Sequence, residues 1–120
     1  MKQIIKVAAL IVFLSFCFFG SSSLADSKGI IKYRQNVMKS TAGHMGAIVD
    51  ILKNDLPLQA HILDHARSIQ QNSKMTLATF SKGTGLGNTK AKPAIWENWS
   101  KFESAVQDFE RESAKLVKVA

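Results

Sequence analysis

Beyond residue 26, apolar positions return at alternating steps of three and four along three stretches, and nowhere do they alternate strictly with polar ones. The first stretch places Arg34, Met38, Thr41, Met45, Ile48 and Leu52 on one stripe, with Ile30, Val37, His44 and Ile51 seven apart on the adjoining edge. That spacing keeps side chains on one face of an α-helix and would scatter them across both faces of a strand. It predicts a first helix from a Ser27 cap to about Asn54. Asp55, just before Leu56 and Pro57, predicts a cap for the second helix, with proline in the first turn where a missing N–H costs little. Leu58, Ile62, His65 and Ile69 mark its inner stripe, which fades around Thr79. Residues 81–92, with Gly83, Gly85 and Gly87, read as a flexible loop. Pro93 opens the third helix, whose stripe is Ile95, Trp99, Phe102, Val106, Phe109, Ser113 and Leu116.

The class is all-α. Two short connections and a longer loop imply antiparallel neighbours, an up-down helical bundle. Each helix carries apolar residues on two adjoining heptad positions, enough to face two neighbours. Three helices are therefore present of a four-helix bundle, and one face is left for something else to cover.

Residues 1–25 stand apart. Lys2 and Lys6 form a basic start, Val7 to Phe19 an apolar run, and Ser23-Leu24-Ala25 the small residues favoured before a signal-peptidase cut. The run falls short of the roughly 20 apolar residues that span a bilayer. Phe16 before Cys17 departs from a lipidation motif. The reading is a cleavable signal, 1–25, an exported domain, 26–120, and periplasmic localisation with no membrane span after cleavage.

The whole chain has 120 residues and a net charge of +7. Loss of Lys2 and Lys6 leaves 14 of the 16 basic side chains against 9 acidic ones. The lysines are scattered among acids, with no Arg-rich run and no basic helix face, so nucleic acid is not the implied partner. A positive exported protein is instead steered towards acidic protein partners or a membrane surface. Cys17 is the single cysteine, which excludes an internal disulfide, a cysteine zinc site and haem attachment through two thioethers.

Few motifs carry chemistry. The glycine loop fits neither phosphate-binding fingerprint, since Asn88 stands where a dinucleotide loop needs glycine and no Gly-Lys-Ser/Thr is present. His61 and His65, four apart, either share a metal with His44 or an acid as third ligand, or form a plain pair on a helix surface. No nucleophile–base set emerges from the spacing, and the chain does not read as an enzyme. Arg34 is the anomaly: a cation on a core stripe is expensive unless it meets an anion. Met38, one turn on, either fills space or presents its thioether to a metal centre. Trp96 and Trp99 add flat apolar area.

Tyr33-Arg34-Gln35-Asn36-Val37-Met38-Lys39, then Gly43-His44-Met45, resembles the first helix of the class II c-type cytochromes, the cytochrome c′ family. Ala91-Lys92-Pro93-Ala94-Ile95-Trp96, then Trp99 and Phe102, resembles that family's third-helix opening, and the resemblance spans about residues 28–118. It implies an exported four-helix bundle that holds haem and transfers electrons to redox partner proteins, with some members binding nitric oxide or carbon monoxide. Carried over by position, Arg34 would meet a haem propionate, Met38 would occupy the axial position over the iron, and Trp96 would pack near the haem. The family's fourth helix carries Cys-x-x-Cys-His, which these 120 residues lack, so covalent attachment by that route requires sequence beyond Ala120. The alternative is a non-haem helical module whose open groove takes a partner's helix or a second copy of the chain.

Overall fold

The computed structural model describes residues 22–120, and the proposed signal segment lies almost wholly outside them. Helix α1 spans Ser22–Lys53, α2 Ile62–Thr76, α3 Ala94–Glu97 and α4 Trp99–Val119. Short 3-10 turns at Gln59–His61 and Leu77–Phe80 precede and follow α2. No strand occurs among the described residues.

The helices fall where the periodicity places them, while their ends differ. Helix α1 is already under way at Ser22, so Ser27 sits inside it and does not cap it. Asp55 closes α1; it does not open α2. It takes a left-handed backbone, φ 48°, and the Leu56 N–H reaches back to the Ile51 carbonyl at 3.0 Å. That six-to-one bond satisfies a carbonyl the helix end would otherwise leave bare. Helix α2 then starts through the 3-10 turn, with Pro57 in the connection. The predicted third helix is broken at Asn98, φ −122° and ψ 54°. Its carbonyl takes the first N–H bonds of α4, from Lys101 and Phe102.

Helix α2 is the middle member. It packs against α1 on one side and α4 on the other, while α1 and α4 scarcely approach each other. Ile48, Ala66 and Ile69 form the core cluster, with Ile62, Phe109, Leu116 and Val117 against it. Buried positions on α1 are Ile31, Arg34, Val37, Ile48 and Ile51. The inner face is thus turned towards the edge containing Val37 and Ile51. Met45 and Leu52, expected on the inner stripe, are 43% and 64% exposed, because they lie on the flank of α1 turned away from α2. Leu58 is likewise exposed, since it precedes the helix proper.

Candidate functional site

Two features gather the candidate residues at one end of the layer. The first is α1, which carries Arg34 and Met38 one turn apart. The second is the segment from Thr79 to Ile95, which folds back across that turn.

Arg34 is 3% exposed, and its guanidinium fork is filled by that segment. Nη1 donates to the Thr79 carbonyl at 3.1 Å and the Thr84 hydroxyl at 3.0 Å; Nη2 donates to the Thr84 carbonyl at 3.0 Å and the Thr89 hydroxyl at 2.8 Å. All four acceptors are neutral. The cation also lies over the Phe80 ring, 4.6 Å from its centre, an arrangement that the ring quadrupole favours. Burial pulls the guanidinium below its ordinary value, yet arginine stays charged in proteins. The result is a positive charge enclosed by dipoles and a ring. No carboxylate forms an ion pair with it among the described residues.

The segment predicted as a flexible loop is pinned to α1 at Thr84 and Thr89, although most of its other residues are exposed. Thr84 is buried, and the Gln35 amide donates to the Asn88 carbonyl at 2.8 Å. Gly85 faces the Trp96 ring so closely that a Cβ there would stand 2.8 Å from it. Gly87, at φ 102°, supplies a turn that L residues rarely adopt.

A cavity of about 560 Å³ opens beside this segment, lined by Arg34, Met38, Phe80, Thr89, Ala91 and Ile95, with Lys39 and Lys90 also on its wall. That volume suits a prosthetic group or small ligand. Met38 is half-buried on its wall. Ala91 and Ile95 also line a second hollow of about 560 Å³ with Phe102 and Ala105 of α4, so the Lys90–Ile95 segment stands between two apolar spaces.

Trp96 is not brought to the first cavity. Its Nε1 donates to the Phe80 carbonyl at 3.0 Å, its ring centre is 6.3 Å from that of Phe80, and the Arg34 guanidinium lies 6.0 Å from it. The break at Asn98 sets α3, and Trp96 on it, apart from α4. The histidine pair differs as well: His65 meets His44 across the α1–α2 interface, Nδ1 to Nδ1 at 2.9 Å. No set of three or more His, Cys, Asp or Glu able to hold a metal occurs among the described residues.

Phe80, Thr84 and Thr89 are the site residues the sequence reading passes over. Nothing at those positions signals contact with Arg34, which lies 50 residues from Thr84 and 55 from Thr89. The usable hint was Arg34 itself, whose five donors require acceptors wherever the cation is buried.

The fold is thus an all-helical layer with a buried cation and a thioether on one cavity wall, the frame of a prosthetic-group-binding bundle. The comparisons with known proteins make this specific. A family model described as Cytochrome C' matches residues 29–120. A cytochrome c′ of Rhodospirillum rubrum is 31% identical over 121 residues, covering 100% of this chain and 80% of that one. A cytochrome c-556 of Agrobacterium tumefaciens strain B2A is 35% identical over 89 residues, 73% of this chain and 66% of its own length. The crystal structure of cytochrome c′ from Rubrivivax gelatinosus superposes with a TM-score of 0.67 at 30% identity, covering 74% of this chain and 71% of that one. The chain belongs to the cytochrome c′ family, whose cofactor is haem.

Proposed function

We propose that this protein is an exported haem cytochrome that passes electrons between redox partners in the periplasm. The observation that carries the reading is the Arg34 cation, buried on a cavity wall with no carboxylate paired to it among the described residues and with the Met38 thioether on the same wall. A group that is flat, apolar and edged with carboxylates suits that wall. Haem, when bound, supplies a one-electron iron couple whose potential follows axial ligation and burial.

The chain's own residues then have separable tasks. Arg34, whose four Nη hydrogens are already given to Thr79, Thr84 and Thr89, would act on a propionate through its charge, with the Thr84 and Thr89 hydroxyls keeping the guanidinium plane fixed. Met38 on the same wall would offer a soft sulfur to a haem iron. Phe80 and Ile95 would exclude water, and Trp96 holds the Phe80 backbone through its Nε1 hydrogen bond. Lys39 and Lys90 at the cavity favour anionic edges and acidic partners. These residues fit one side of a haem. The 120 residues contain no Cys-x-x-Cys-His, so the thioether links and proximal histidine would have to come from sequence outside them. Nothing in the site calls for substrate turnover, and no described helix is long and apolar enough to cross a membrane.

Expression from the natural coding region, extended past codon 120, in a host with working haem-attachment machinery tests the reading. A Soret band that coelutes with the protein is expected. In the loaded protein, a low-spin spectrum unchanged by Met38→Ala would remove Met38 as a ligand. A protein that carries no haem under those conditions would overturn the proposal.

A second reading is favoured by the exposed row of Met45, Val49 and Leu52 along one flank of α1. On that reading the flank receives a helix from a partner or from a second copy, without haem. A stable haem-free dimer would support it.

A further inference from the structure

The contact between His44 and His65 has no role in the haem-site reading. These histidines sit on different helices, neither lines the cavity beside Arg34, and their Nδ1 atoms are 2.9 Å apart. In the neutral pair, one Nδ1 must carry a proton and the other must accept it, so the two rings hold opposite tautomers. Both side chains are half-buried, so the pair is held by its helices yet open to solvent. No ion pair engages either ring among the described residues.

We propose that His44 and His65 form a two-imidazole site for a divalent ion of the zinc class, which clamps α1 to α2. A tetrahedral zinc with Zn–N bonds of about 2.05 Å holds two imidazole nitrogens about 3.3 Å apart. The nitrogens therefore need to part by only a few tenths of an ångström. The ring centroids are 5.2 Å apart and the planes inclined at 49°. Histidine's χ2 torsion is broad, so turning the rings supplies the adjustment without moving either helix. Both Nδ1 atoms then face the ion as lone pairs: the ring that held its proton on Nδ1 shifts it to Nε2, where the other ring already carries its own. No third His, Cys, Asp or Glu joins the pair among the described residues, so water completes the coordination and the site binds weakly and reversibly. The sequence places His61 four residues before His65, but the partner that the fold brings to His65 is His44.

Zinc titration of the purified full-length protein, followed by imidazole ¹H–¹⁵N correlation spectra and thermal denaturation, tests the site. Saturable loss of the one Nδ1–H, leaving both histidines as the Nε2–H tautomer, is expected, with a rise in Tm that grows with zinc concentration. Both effects should vanish in His44→Gln and in His65→Gln and persist in His61→Gln. Retention of one Nδ1–H across the pair up to millimolar zinc would overturn the proposal, leaving an ordinary N–H···N hydrogen bond. So would binding that depends on His61 and not on His44. The tautomer readout is independent of haem, so failure here leaves the reading of the Arg34 cavity untouched.

Discussion

Arg34 grips Thr84 twice, through the side-chain hydroxyl and through the backbone carbonyl, each at 3.0 Å, although the two residues lie 50 positions apart. One guanidinium thereby fastens the glycine-rich segment to α1 and shapes the cavity wall from both sides.

Truncation of that arginine should be costly even without any ligand. Arg34→Ala strands the buried carbonyls of Thr79 and Thr84 and removes the cation from the Phe80 ring. An unsatisfied buried group costs about 1–3 kcal/mol, so a loss of about 2–4 kcal/mol is expected by chemical denaturation. Arg34→Lys should recover only part, because an ammonium cannot reach four acceptors in the geometry of a planar fork. Equal stability of the alanine variant and the parent would show that the segment is held by other contacts.

Arg34 also shows what the chain discloses on inspection and what it hides. A charge on a helical stripe is visible as an inconsistency, and it pointed to the site. Its acceptors are ordinary threonines in a loop, and only the folded path of residues 79–89 brings them to it. The α4 stripe was legible because Val106 and Ser113 stand seven apart on a strongly one-sided helix, and both are buried. On α1 apolar residues spread over a wider arc, so spacing alone did not decide which edge faces α2. Met45 and Leu52 fit the period as well as Val37 and Ile51 do. Packing against α2 selected the latter pair. The cap assignments failed for a similar reason: Ser27 and Asp55 have capping chemistry, yet α1 begins before one and ends at the other.

The close approach of Gly85 to Trp96 makes a second prediction. A methyl group at residue 85 would meet the indole ring 2.8 Å away, inside van der Waals contact. Gly85→Ala should displace the tryptophan, break its hydrogen bond to the Phe80 carbonyl, and destabilise the fold by about 1–3 kcal/mol. Shifted tryptophan fluorescence together with a lowered Tm would show this. Unchanged emission would mean that the loop yields and the ring stays.

Ile69 and Leu52 separate the buried face from the open one. Ile69 is 1% exposed between Ile48 and Ala66, and Ile69→Ala should cost about 2–5 kcal/mol through lost burial and the cavity left behind. Leu52→Ala should change stability by less than about 0.5 kcal/mol, as is usual for exposed positions. Should Leu52→Ala prove comparably costly, the flank of α1 is covered in solution. Sedimentation would then tell a second copy from a segment of the same chain.

The joint between α2 and α4 gives the last prediction. Ser73 and Ser113 are buried, and their Oγ atoms are 3.0 Å apart. Each hydroxyl also has a carbonyl of its own helix within reach: Gln70 at 2.7 Å for Ser73 and Glu110 at 2.9 Å for Ser113. Two hydroxyls carry two hydrogens, whereas the three contacts would use three. If each hydroxyl donates to its own carbonyl, the contact between the helices is left as two oxygens facing each other; if one donates across, its carbonyl loses a bond. Small side chains are nonetheless required here, since the helices come close enough for the two oxygens to touch. Either alanine substitution alone removes one hydroxyl but leaves the other able to donate within its own helix. Each should therefore cost no more than about 1 kcal/mol. The double variant replaces both polar groups with methyls of nearly the same volume, which can be close to neutral. A double-mutant cycle should then give a coupling energy that makes the pair of changes less costly than the sum of the two. Strict additivity would show that the two hydroxyls do not communicate and that the close helix approach rests on size alone.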